Sequence, residues 1–113
     1  MARVVALVPD LMFGSRVVSL LEGAGHEVTL TGHEDEARAE IEFADVLVVD
    51  LTTDAIDGVM LVDSMTAGGE LTGKRTLGVY SHVEGDVRRR AEEAGFDRVV
   101  PRSRFVREGA ALL

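Results

Sequence analysis

Four residues of this sequence could carry chemistry together: Asp10, Asp50, Ser81 and Arg102. Each ends or directly follows a short run rich in Val and Leu. Two carboxylates brought close together repel unless a cation lies between them. Oxygen-only ligands of this kind suit Mg²⁺, which retains several waters. A carboxylate beside such an ion can accept a phosphoryl group as a mixed anhydride. A nearby hydroxyl and cation, here Ser81 and Arg102, could then hold the phosphoryl oxygens. In outline this is a phosphorylation switch. His82 adjoins Ser81, but neighbours on an extended segment point to opposite sides, so the two are not read as nucleophile and base.

Those four positions converge only if the intervening segments form an open parallel sheet. The apolar pattern supports one. Residues 4–8, 28–30, 46–51, 77–80 and 99–100 are short runs with little alternation, as expected of strands covered on both faces. Between them lie stretches with helical spacing. Val17, Leu20, Leu21 and Ala24 form one stripe, with Gly25 as a stop. Residues 34–43 pair Ala37 with Ile41. Residues 55–65 carry Ile56, Val59, Met60 and Val62, and the Gly68–Gly69 pair ends them. Residues 84–94 turn Val87, Ala91 and Ala94 inward, with Gly95 as the stop. Ser103 is placed to cap a last helix over residues 104–112. The loop 67–73, with three glycines, is expected to be the freest.

The order β-α-β-α-β-α-β-α-β-α implies right-handed crossovers and a parallel sheet. The expected fold class is α/β: a doubly wound five-stranded parallel sheet in the flavodoxin-like order 2-1-3-4-5, with helices on both faces. One domain spans residues 1–113. In such a sheet ligands bind at the carboxyl ends of the strands where strand order reverses. Pro9–Asp10, Asp50, Ser81 and 101–103 fall there.

Composition narrows the function classes. The chain has 113 residues and no cysteine, which excludes disulfides, thiolate metal sites and thiol catalysis. No secretory signal and no apolar run of membrane-spanning length is present, so the expected location is the cytoplasm, without a membrane partner. The net charge of −8 argues against phosphate-driven nucleic-acid binding. That charge is polarised: residues 1–73 hold three Lys/Arg against fourteen acids, and residues 74–113 hold nine against six. The loop after the first strand has neither a dinucleotide fingerprint nor a P-loop. His26 and His33 lack metal-ligand spacing.

The stretches "VVALVPD", "LLEGAGHEV", "ADVLVVDL", "IDGVMLV", "AEEAGFDRVV" and "PRS" resemble the receiver domain of two-component response regulators over nearly the whole chain. The resemblance implies Asp50 as phosphoacceptor, Asp10 and Asp50 as Mg²⁺ ligands, and Ser81 and Arg102 as the residues sensing the phosphoryl state. An Asp-Gly pair, Asp57–Gly58, follows at the family's spacing. It implies a stand-alone regulatory domain in a phosphorelay, acting through a protein partner or as a homodimer. The face implied is that of the fourth helix, fifth strand and last helix, where Arg88, Arg89, Arg90, Arg98, Arg102, Arg104 and Arg107 cluster.

The sequence departs from the pattern at the site itself. Pro9 stands where receivers carry the first of two acids. Arg102 replaces their lysine, and an arginine fork differs from an ammonium in reach and geometry. Ser103 and Asp54 stand where prolines are usual. These changes weaken Mg²⁺ binding and phosphoryl stabilisation. The alternative is a pseudo-receiver: the same fold serving as a protein-interaction or small-ligand module without phosphotransfer. An enzyme built on Asp10, Asp50 and His82 is the least supported.

Overall fold

The computed structural model describes residues 1–81 and 86–113. Five strands, β1 (Arg3–Leu7), β2 (Glu27–Thr31), β3 (Val46–Asp50), β4 (Arg75–Tyr80) and β5 (Arg98–Pro101), alternate with five helices. These are α1 (Leu11–Gly23), α2 (Glu34–Glu40), α3 (Gly58–Ala67), α4 (Val87–Ala94) and α5 (Arg102–Glu108). Short 3₁₀ turns extend α2 over Ile41–Phe43 and α5 over Gly109–Leu112. The sheet is parallel throughout, in the order β2-β1-β3-β4-β5 expected of the sequence.

Strand periodicity divides the apolar residues between two cores. In β1 and β3, Val5, Leu7, Leu47 and Val49 face one way. They pack against Ala37, Ile41, Leu61, Val62, Met65 and Ala91 of the α2, α3 and α4 layer. Val4, Ala6, Val46 and Val48 face the other way, against Phe13, Val17, Leu21 and Phe105 of α1 and α5. With both faces covered, β3 is buried along its whole length, which is why its sequence scarcely alternates. The alternation has a consequence for the site. Asp50 has the parity of Val46 and Val48, so its side chain projects to the α1/α5 side.

Element edges differ from the sequence expectation in physically interpretable ways. The third helix starts at Gly58 rather than residue 55, because Asp57 caps it by accepting from the Met60 N–H at 3.0 Å. Met60 is consequently exposed, and Leu61, with Val62 and Met65, is buried in its place. Ala24 is also exposed, while Phe13, near the start of α1, is buried. The last helix starts at Arg102, not after Ser103. Pro101 is its extended N-terminal neighbour, and no side chain caps it. The loop 67–73 is pinned rather than free: Leu71 is buried, and Arg38 donates to Glu70 at 2.7 Å. Of the fourth helix, residues 84–85 lie outside the described residues. No helix among the described residues is long and apolar enough to cross a membrane.

Candidate functional site

The strand order reverses between β1 and β3, and the candidate site lies at their carboxyl ends. Asp10 enters it from the start of α1. Its Oδ1 accepts the N–H groups of Met12 (3.0 Å) and Phe13 (3.2 Å), a helix cap that orients the carboxylate. The Phe13 N–H bond is the main reason its carboxyl titrates below the usual range; Arg102 adds to the shift, and desolvation opposes it.

Asp50 ends β3 and is fully buried, with no accessible surface. Its Oδ1 accepts the Thr52 N–H at 3.0 Å, an Asx turn that fixes the loop after the strand. Its Oδ2 accepts from Arg102 Nη2 at 2.7 Å. Arg102 Nη1 lies 3.5 Å from Asp10 Oδ2, so one guanidinium faces both carboxylates. The guanidinium also lies over the Phe13 ring, 4.0 Å from its centroid. Phe13 in turn meets Phe105 edge to face at 6.2 Å. Stacking and pairing together hold the planar fork in one pose. Its Nε–H is buried without an acceptor among the described residues, and the aromatic face partly offsets that missing hydrogen bond.

The structure therefore brings Asp10, Asp50 and Arg102 together, as the sequence suggested. Ser81 is tied instead to the loop after β3. Its backbone N–H donates to Thr52 Oγ1 at 2.8 Å, while the residue itself is exposed. His82 lies outside the described residues. Thr52, which ties β3's loop to β4, and Phe13, the platform under Arg102, were not singled out from the sequence. The signal for Phe13 is its place three residues after Asp10, on the inward face of α1's first turn.

All four oxygens of the carboxylate pair face donors already. Pro9 offers no side-chain oxygen, and among the described residues no three His, Asp or Glu groups converge to hold a metal. Both Oδ2 atoms already face the guanidinium, so a divalent ion between the carboxylates would have to displace it. With Arg102 in place, the donor set does not fit Mg²⁺.

The arginine cluster is less uniformly basic than its sequence suggests. Arg88 pairs with Glu92, Arg89 with Glu93, and Arg104 and Arg107 with Glu108.

The architecture is that of response regulator receiver domains. Three solved structures illustrate the likeness. A DNA-binding response regulator of the LuxR family from Staphylococcus aureus superposes with a TM-score of 0.82 at 16% identity, covering 96% of this chain and 92% of that one. A CheY-like receiver domain protein from Methanospirillum hungatei gives 0.79 at 20% identity, over 96% and 86%. A response regulator from Burkholderia pseudomallei, whose structure holds a phosphorylated aspartic acid and a calcium ion, gives 0.77 at 17% identity, over 89% and 59%. No family model and no curated protein matches the chain.

Proposed function

We propose that this chain is a receiver-fold regulatory module that acts by contact with a protein partner or a second copy, its carboxylate pair neutralised from within rather than charged with a phosphoryl group. The observation that carries this reading is Asp50: fully buried and bound by Arg102 at 2.7 Å. An attacking carboxylate oxygen must meet a phosphorus atom in line, and this one meets a guanidinium. Mg²⁺ has no role in this reading while Arg102 stands between Asp10 and Asp50. The contact surface is the face of α4, β5 and α5, where Arg98 is exposed and Arg104 and Arg107 pair with Glu108. The fold supports a regulatory role because its structural neighbours are response regulators.

A second reading draws on the position of Asp50 at the end of β3 and on the phosphorylated aspartate of the Burkholderia neighbour. Here Arg102 would swing aside and Asp50 would accept a phosphoryl group, with Ser81 and Arg102 sensing it. Intact-mass analysis after incubation with a small acyl phosphate and Mg²⁺ separates the two. The internal-cation reading expects unmodified protein. A phosphoryl adduct that Asp50→Asn abolishes would establish the second reading and retire the first.

A further inference from the structure

We infer that Arg102 does the work of a bound cation in this protein, so that its native state needs no divalent ion and deleting the guanidinium transfers that need to a metal. The inference deepens the reading above and rests on it. Arg102 is tethered at the first residue of α5, where β5 delivers it to the site. Its two terminal nitrogens divide between the strands: Nη2 to Asp50 at the end of β3, and Nη1 to Asp10 after β1. A metal between these carboxylates would occupy that same place, since both it and the guanidinium answer the same pair of like charges.

A further feature makes the substitution lasting. Phe13 and the Asp50 contact hold it from two directions, so it does not leave as a free ion would. The carboxylates, meanwhile, are oriented independently of it. Asp10 Oδ1 is held by the Met12 and Phe13 N–H groups, and Asp50 Oδ1 by the Thr52 N–H. Removing Arg102 thus leaves two pre-aimed carboxylates, each with Oδ2 released into a newly opened space. Oxygen ligands completed by water are what Mg²⁺ and Mn²⁺ accept.

The test compares the full chain with Arg102→Ser, at matched ionic strength, by ¹H–¹⁵N NMR. Mg²⁺ is titrated first, then Mn²⁺ as a paramagnetic probe. Wild-type amides near Asp10, Asp50 and Thr52 should neither shift nor broaden selectively, and its Tm should be the same in Mg²⁺ and in chelator. Arg102→Ser should show broadening centred on those three residues, with an Mg²⁺ affinity at least about tenfold above that of wild type, and a Tm that rises with Mg²⁺. If Arg102→Ser does not fold even with Mg²⁺, Arg102→Lys answers the same question, because its shorter charge withdraws from between the carboxylates. Metal binding by wild type at Asp10 and Asp50 would overturn the inference. So would a folded Arg102 variant that ignores both ions. The acyl phosphate experiment on wild type reads the functional proposal separately, since a metal-silent protein can be modified or unmodified.

Discussion

Replacing Arg102 by Met should be among the most damaging single substitutions in this protein, and the reason lies in Asp50 rather than in Arg102. The Asp50 carboxylate has no accessible surface, whereas the Arg102 side chain is 25% exposed. Arg102→Met strands a buried charge. Breaking such a pair from the better-hydrated side costs about 3–5 kcal/mol, a large share of the roughly 5–15 kcal/mol that stabilises a typical domain. Asp50→Asn removes the other partner and leaves a different situation. The amide oxygen still accepts from Thr52, and Arg102 keeps Asp10, Phe13 and some solvent. What is lost is the whole charge-assisted hydrogen bond from Arg102, about 1.5–3 kcal/mol, because the amide nitrogen that replaces Oδ2 is a donor and cannot accept it. The double variant strands no charge, so it should be no less stable than Arg102→Met alone. The coupling between the two positions is then expected to be at least the Asp50→Asn cost, about 1.5–3 kcal/mol. Urea unfolding at neutral pH, followed by far-UV circular dichroism, measures all four corners of the cycle. An Arg102→Met cost below about 1 kcal/mol would refute the reasoning, because a buried ion pair cannot be broken so cheaply. An Asp50→Asn cost equal to that of Arg102→Met would refute it too, since the asymmetry in burial would then be irrelevant.

Other consequences can be checked by the same unfolding experiments. Phe13→Leu removes the ring under the guanidinium and the edge contact to Phe105, and should cost about 1–2 kcal/mol, with a smaller loss when Arg102 is already Met. A Cβ on Gly58 would sit 2.5 Å from Val49 Cγ1 and 3.0 Å from Leu51 Cδ2, so Gly58→Ala should destabilise by about 1–3 kcal/mol. At Gly23, where a Cβ meets nothing within 4 Å, Ala should stabilise by up to about 1 kcal/mol; the two glycine variants thus move the urea midpoint in opposite directions. Acidification should destabilise the fold below about pH 4. Asp10, Glu70 and Glu108 all titrate lower in the native protein than unfolded, through the Phe13 N–H, Arg38 and Arg104 respectively. A depressed native value stabilises above the unfolded one and is lost as pH falls through it. Glu70→Gln should flatten that acid limb in a pH series of thermal melts, and an unchanged limb would show that the Arg38 pair does not contribute.

Much of the fold is legible in the sequence because its signals are local. Five Val/Leu runs of strand length, separated by helical stripes with glycine stops, admit few arrangements once crossovers are right-handed. Where the reading slipped at helix starts, the competing interaction was also local but weaker in the pattern. The Asp57 cap moved the start of α3 and turned Met60 outward. The absence of a cap let α5 begin at Arg102. The loop 67–73 looked free from its glycines, yet a pair between Arg38 and Glu70, far apart in the chain, holds it.

The site divides in the same way. Sequence alone determined that Asp10, Asp50 and Arg102 belong to one site, because strand ends and the reversal of strand order dictate which loops meet. It also determined that Pro9 and Arg102 break the receiver pattern, since that is a matter of residue type. Only the tertiary structure decided what Arg102 does with its charge. Arginine at a strand end can lie in solvent or reach inward, and the choice depends on distances across three elements. The parity of β3 sends Asp50 toward the α1/α5 layer, Phe13 supplies a flat face there, and the guanidinium lies between two carboxylates that approach only when β1 and β3 pair. Those contacts join positions forty and more residues apart, and no local spacing encodes them.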